Sequence, residues 1–315
     1  MTNKRRKYTE GHKPFSFSPE SLAADGREYY GRGKQPKLVW RDDKHGVYLY
    51  QGDCLLLLEQ VRRLYPKGVF DLIFADPPYF LSNGGITCQA GKMVSVNKGD
   101  WDKLVSVDQM HEFNRMWLDA CRTALKANGS LFVSGTSHVI HSIGFAMQQL
   151  EFKFLNDITW IKPNPPPNLS CRYFTHASET ILWAAKNKKS KHRFNYDLMK
   201  RIAGGKQMKS AWYDIKWDDP QTQVLLEIYP PAKEEKLFGK HPTQKPLMLL
   251  ERLILAASDK NDIVFDPFMG SGTTGVAAKK LGRKFVGCEL DPQFVATAIK
   301  RMELQRMQST LDPVC

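Results

Sequence analysis

Two groups of residues in this chain have the types and spacing for chemistry, and each stands where a hydrophobic run stops. The first is Asp76-Pro77-Pro78-Tyr79, which closes the apolar run Leu72 to Ala75. Four apolar residues without alternation suit a strand covered on both faces, as in a parallel α/β sheet. Two prolines cannot continue the ladder, so the strand ends and presents Asp76 and Tyr79 at its C-terminal edge, where open α/β sheets bind ligands. Taken alone, the same residues also fit a rigid turn with no other task.

The second group is Gly270-Ser271-Gly272, between a strand ending at Phe265 and a helix running through Leu281, with Glu289 at the end of the next strand. Such a unit is a nucleoside-cofactor site: the glycines allow close backbone approach, and the acid accepts hydrogen bonds from ribose hydroxyls. Glu289 lies 289 − 270 = 19 residues past the first glycine, close to the roughly 20-residue spacing of these folds. A triphosphate loop needs a lysine after the last glycine, and Val276 follows Gly275. Gly270, Gly272 and Gly275 satisfy the dinucleotide spacing, so the glycines leave NAD open, although no hydride-transfer machinery is evident. S-adenosylmethionine is the third class, and a turn that binds nothing is the fourth reading.

The elements that must position these groups follow in order. Residues 1–45 are polar and basic and read as an N-terminal extension. Residues 46–54 form a strand ending at Gly52-Asp53, followed by an amphipathic helix and the strand that ends at Asp76. Residues 80–104 form a long, weakly patterned loop, expected to be a mobile flap over substrate. A helix over 108–127, a strand over 128–135 and a helix from Val139 follow, in which His141 is structural. FLNDITWIK and ETILWAAKN then form a strand pair, separated by the irregular KPNPPPNLSCRYFTHAS. Residues 186–240 interleave KNKKSKHR, Lys200, Arg201, Lys206 and Lys209 with Tyr196, Trp212, Tyr213 and Trp217. That mixture is expected to touch phosphates and bases, which makes it the candidate target-recognition region. Residues 241–305 return to the core, with a helix starting at Pro246, and 306–315 form a tail.

Lys and Arg number 46 against 33 acidic residues, a formal charge of +13, with a pI near 9.4. That balance favours a polyanionic partner. The six cysteines are scattered with no CxxC, so neither a zinc site nor a disulfide framework is suggested and no metal is expected. No 18-residue apolar segment occurs, and the basic N-terminus lacks a following apolar stretch, so the chain is expected to be an intracellular protein without a membrane association.

Together these stretches resemble the amino-methylating DNA methyltransferases of restriction-modification systems, in the beta class whose catalytic motif precedes the cofactor motif. DPPY at 76–79 matches the catalytic motif, DPFMGSGTT at 266–274 the cofactor loop, and FVGCELD the ribose acid. HPTQKP at 241–246 looks like the segment lying against the methionine end of the cofactor, and GDC at 52–54 like the strand end near its adenine. The resemblance covers about residues 46–305. It implies an α/β fold, Rossmann-like and S-adenosylmethionine-dependent, with a seven-stranded mixed sheet, helices on both faces, one antiparallel strand near an edge and a circularly permuted motif order. The residues on either side of Asp76 and Asp266 would be sheet neighbours, although 266 − 76 = 190 residues separate them.

The resemblance further implies catalytic roles for Asp76, Pro77, Pro78 and Tyr79, and a target-base pocket made by Tyr79 and Phe80. Asp53, Lys245, Asp266, Phe268, Gly270, Ser271, Gly272, Thr273 and Glu289 would bind S-adenosyl-L-methionine. The partner is double-stranded DNA. Adenine N6 is favoured over cytosine N4, because in the family an aspartate at the first catalytic position leans toward adenine. A non-catalytic DNA-binding protein that keeps the cofactor fold is a further alternative, and RNA or protein amines stay open as acceptors. Cytosine C5 chemistry would need a cysteine after a proline, which is absent. A homodimer and a bacterial cytoplasmic location complete the expectations.

Overall fold

In the computed structural model of the chain, residues 34–79, 86–89, 92–95, 106–162, 165, 167–213 and 244–311 are described. Five parallel strands form the centre of one sheet. They are β2 (Val47–Gln51), β3 (Phe70–Ala75), β6 (Leu125–Gly135), β10 (Ile263–Asp266) and β11 (Lys284–Glu289), in the spatial order β2-β11-β10-β3-β6. Beyond β6 lie β8 (Ser178–Ala185) and β7 (Lys153–Ile161), with β8 antiparallel to both neighbours. These seven strands make the expected mixed sheet, with β8 reversed near its edge.

The sheet has nine strands rather than seven. One addition is β1 (Lys37–Asp42), antiparallel to β2 within the stretch expected to be an arm. The other is β9 (Ala211–Tyr213), parallel to β7 within the stretch expected to read DNA. A separate hairpin, β4 (Ile86–Gln89) with β5 (Lys92–Ser95), falls inside the 80–104 segment. The rest of that segment lies outside the described residues.

Helices cover both faces. On one face α1 (Cys54–Leu64), α2 (Val107–Ala124) and α3 (Ile140–Gln149) bury Leu57, Trp117 and Ile143 against Phe70 and Ile73. On the other, α5 (Leu247–Ala257), α6 (Thr273–Lys280) and α7 (Pro292–Leu311) bury Leu250, Ala277 and Met302 against Leu72 and Phe74. A short helix, α4 (Tyr196–Ile202), lies before β9. Leu72 to Ala75 are all buried, as a strand with helices on both sides requires. Asp71 ties the base of three strands: its carboxylate receives Lys126 Nζ at 2.8 and 2.7 Å and the Ile263 backbone N–H at 2.9 Å.

β3 and β10 are direct neighbours, with Val264 opposite Leu72 and Phe265 opposite Ile73. The chain crosses from β3 to β6 on one side and from β10 to β11 on the other. The tips of β3 and β10 therefore flank the point where strand order reverses, the usual place for a ligand crevice.

Candidate active site

Because the strands are parallel, Asp53, Asp76, Asp266 and Glu289 all stand at one edge of the sheet. They share a single cavity of about 810 Å³. It is also lined by Pro77, Pro78, Tyr79, Phe113, Lys245, Phe268, Gly270, Ser271 and Thr273. Every expected site residue among the described ones except Gly272 lies on its wall; Phe80 is outside the described residues. The volume is within the range of sites that enclose most of a small organic molecule.

At the tip of β3, Asp76 is the centre of a hydrogen-bond network. Its Oδ1 accepts from the Tyr79 hydroxyl and from Ser134 Oγ, both at 2.6 Å, and its Oδ2 accepts from Lys245 Nζ at 2.6 Å. Lys245 Nζ also stands 3.1 Å from the Tyr79 hydroxyl and 5.5 Å from the centre of its ring. Behind Lys245, Glu179 on β8 places Oε2 at 3.5 Å from the ammonium and pairs through Oε1 with Lys162. Lys245, Glu179 and Tyr79 are all buried. Burial works against the Lys245 ammonium, but Asp76 and Glu179 outweigh it and hold its pKa above the ordinary lysine value. Burial also opposes the Glu179 carboxylate, yet Lys245 and Lys162 keep its pKa below the usual range. Burial and the adjacent Asp76 charge push the Tyr79 phenol up, so it stays protonated and serves as a donor.

Lys245, expected beside the methionine end of the cofactor, has its ammonium on the Asp76 carboxylate. Ser134, Glu179 and Lys162 were not among the expected site residues. Ser134 reaches Asp76 because β6 pairs with β3 in register, Val133 lying opposite Ala75. Glu179 follows because Gly135 lies opposite Thr180.

On the cofactor side, the loop after β10 is braced from within. Asp266 is 2% exposed, and accepts from the Phe268 N–H at 3.0 Å and from Thr274 Oγ1 at 2.5 Å. Burial pushes its pKa up to about 7. Gly270 and Gly272 adopt φ of 50° and 80°, the left-handed region that favours glycine. At Gly275 a β-carbon would stand 2.4 Å from Met302 Cε and 2.6 Å from the Phe285 ring, so this glycine serves helix–strand packing. Arg301 on α7 donates to Ser271 O and Oγ at 2.9 and 3.0 Å and to Thr273 Oγ1 at 2.9 Å. This buried arginine had no signal in the motif itself. The Ser271 and Thr273 hydroxyls, expected to serve the cofactor, therefore already have a partner inside the protein.

Glu289 accepts the Gly270 N–H through Oε2 at 2.8 Å and the Asp291 N–H through Oε1 at 2.9 Å. These bonds fix the carboxylate at the cavity wall while leaving it lone pairs for two hydroxyls. Burial raises its pKa. Asp53 caps α1, its Oδ1 accepting from the Leu55 N–H at 2.8 Å. Phe268 is set edge-on against Trp117, with ring centres 5.4 Å apart. Pro-bounded, aromatic and acidic walls of this kind suit a nucleoside bearing a thioether or sulfonium arm.

The expected DNA-contacting region divides. Lys186, Ser190 and Lys191 bond to the start of β6 through Gly129, Ala127 and Asn128. The basic run 186–193 is thereby placed at the sheet edge opposite Asp76. Trp212 is a core residue, buried beneath the Arg252 guanidinium at 4.8 Å, and so is not available to bases. Its neighbour Tyr213 pairs with Ile161 at the catalytic end of β7, and the following residues 214–243 lie outside the described ones. Among the described residues, no group of three or more His, Cys, Asp or Glu is placed to hold a metal, and no helix is long and apolar enough to cross a membrane.

Comparison with known proteins agrees with this geometry. The N6_N4_Mtase model, described as DNA methylase, matches residues 70–300. The chain is 52% identical over 261 residues to the type II methyltransferase M2.LlaDCHI of Lactococcus lactis subsp. cremoris, covering 82% of this chain and 90% of that one. It is 51% identical to the type II methyltransferase M2.DpnII of Streptococcus pneumoniae, covering 84% and 92%. Among solved structures, the M1.HpyAVI complex with S-adenosylmethionine superposes with a TM-score of 0.55 at 28% identity, covering 81% of this chain and 98% of that one. With the family model spanning both motif-bearing halves of the sheet, this chain belongs to the N6_N4_Mtase family of DNA methylases.

Proposed function

We propose that this DNA methyltransferase acts on the exocyclic N6 amine of adenine in duplex DNA, as the modification partner of a restriction system. The observation that carries the reading is the one cavity in which Asp76 and Tyr79 face Glu289 and the glycine loop. S-adenosylmethionine supplies an electrophilic methyl group on sulfur when bound. Glu289 suits its ribose hydroxyls, Phe268 its methionine arm, and the loop of Gly270 and Gly272 its close approach.

A base inside a duplex cannot reach this cavity, so the target nucleotide has to be rotated out. The Tyr79 ring offers a stacking face for it. Asp76 and the Pro77 carbonyl are the acceptors for the two amine hydrogens, and together they turn the nitrogen lone pair toward the methyl group. An arylamine is a weak base, so Asp76 orients the amine and stabilises the positive charge that develops on it rather than deprotonating it beforehand. The N–C bond forms as the S–C bond breaks, and the surplus amine proton then leaves to solvent. Aspartate at position 76 favours adenine as the target.

The test is transfer of labelled methyl from S-adenosylmethionine to mixed-sequence duplex DNA, followed by digestion and separation of nucleosides. Label in N6-methyldeoxyadenosine is expected. Label in N4-methyldeoxycytidine would overturn the base assignment, and efficient transfer to RNA alone would overturn the duplex.

A further inference from the structure

Asp76 accepts three hydrogen bonds, so of its roughly four lone-pair sites the one left for a substrate amine is on Oδ2. Oδ1 holds Tyr79 and Ser134, and Oδ2 holds Lys245 at 2.6 Å. An incoming amine therefore meets Oδ2 beside the Lys245 ammonium and competes with it. Lys245 is a buried ammonium, so it gives up that place only toward another counter-charge. An ammonium held tightly on Asp76 would also oppose the positive charge that builds on the amine as the methyl group arrives.

A second carboxylate stands ready. Glu179 is buried, and its Oε2 pairs with Lys245 Nζ at 3.5 Å, beyond the length of a strong hydrogen bond. Its other oxygen is occupied by Lys162. A buried carboxylate gains from a closer approach of its cation, so Oε2 can draw the ammonium nearer than it stands here. Shifting Lys245 from Asp76 toward Glu179 requires a change of only about an ångström in the ammonium position, a small rotamer adjustment.

We infer that Glu179 is a positioning residue for methyl transfer: it receives the Lys245 ammonium when the target amine takes its place on Asp76. The inference rests on the assignment of Asp76 as the amine acceptor, and it deepens that assignment by naming how the acceptor is freed. Lys162 holds Glu179 in place and keeps it ionised. The shift moves one ammonium between two acidic side chains, so the net charge of the Asp76, Glu179, Lys245 and Lys162 cluster is the same before and after it. The exchange therefore moves charge inside the protein without adding any.

The experiment compares single-turnover methyl transfer in the wild type, Glu179→Gln, Lys245→Met and the double variant, with S-adenosylmethionine affinity measured by calorimetry for each. Glu179→Gln removes the charge that draws Lys245 away, so the transfer rate is expected to fall by about ten- to a hundredfold with cofactor affinity unchanged. In the Lys245→Met background there is no ammonium to relocate, and adding Glu179→Gln should cost nothing further. Glu179→Asp, which keeps the charge, should recover part of the lost rate. Additive losses in the double variant, or equal losses in Glu179→Asp and Glu179→Gln, would overturn the inference and leave Glu179 a packing residue. A fall in cofactor affinity in step with rate would do the same. The variants are read on whichever amine the wild type methylates, so a product other than N6-methyladenine would sink the base assignment while the Glu179–Lys245 coupling is still measured.

Discussion

β3 and β10 are adjacent parallel strands, and both end in Asp-Pro, yet the two aspartates occupy opposite kinds of site. Asp266 takes its donors from its own loop, the Phe268 N–H and the Thr274 hydroxyl, and is 2% exposed. Asp76 takes its donors from three parts of the chain: Tyr79 in its own turn, Ser134 on β6 and Lys245 just before α5. Local donors make a carboxylate into a brace, because moving any of them unfolds the loop. Donors from separate elements make an exchangeable site, because each can be replaced by a ligand while its own element stays folded. An identical dipeptide thus becomes scaffold on one strand and, on the next, the exchangeable site proposed to hold the target amine.

The sharpest way to break that comparison is to remove each carboxylate's function in turn. Asp76→Ala should lower methyl transfer by about a thousandfold or more, the scale of losing a principal transition-state contact. Cofactor affinity, measured by calorimetry, should change little. Loss of both would mean that Asp76 is a brace as well. Tyr79→Ala should be next, at about ten- to a hundredfold, since base–aromatic stacking contributes roughly 1–3 kcal/mol. Tyr79→Phe keeps the ring and loses one neutral hydrogen bond to Asp76 Oδ1, where Ser134 still donates, so its rate should stay within about threefold of wild type. If the two Tyr79 variants behave alike in steady-state kinetics on duplex DNA, the hydroxyl rather than the ring carries the role.

Glu289→Gln tests the cofactor wall. The amide can still meet one backbone N–H, but it loses the charge that strengthens bonds to ribose hydroxyls, worth about a tenfold rise in the cofactor dissociation constant. The transfer rate at saturating cofactor should be nearly unchanged. A lower saturated rate with unaltered affinity would place Glu289 in the chemistry instead.

Much of this site was legible because its signals are local. Two prolines stop β3, glycines turn the loop after β10, and a burial run of four residues marks a strand covered on both faces. Those features put Asp76 and Glu289 at strand ends, where the structure has them on one cavity wall, from residues within a few positions of each other. Ser134 and Glu179 carried no such mark. NGSLFVSG and ASETILWAA read as ordinary strands, and Ser134 reaches Asp76, and Glu179 reaches Lys245, only through the pairing of β6 with β3 and β8. The run KNKKSKHR shows the converse limit. Its charge is plain from composition, but which sheet edge it occupies depends on β8 running antiparallel, which sends residues 186–193 to the edge away from Asp76. Trp212 was read with the basic residues around it, and its burial follows from β9 adding to β7, a pairing that three residues cannot announce.

The smallest expected effect concerns the brace. Burial lifts Asp266 from its ordinary 3.8 to about 7. Between those values the folded protein binds more protons than the unfolded chain, so folding stability falls as pH rises through that window. Below it both states are protonated, and above it both are ionised, so the contribution levels off on either side. Asp266→Asn stays neutral throughout and does not share the decline. At pH 5 the variant should melt below the wild type, because the amide replaces the oxygen that accepts from Thr274. By pH 8 that deficit should shrink by a few degrees, given that about 1 kcal/mol moves the melting temperature by roughly 2–4 °C in a domain of 150–250 residues. Thermal melts at constant ionic strength would show it. A deficit that stays constant across the range would mean that Asp266 is ionised in the fold at all these pH values, and the contrast with Asp76 would then lie in donor origin alone.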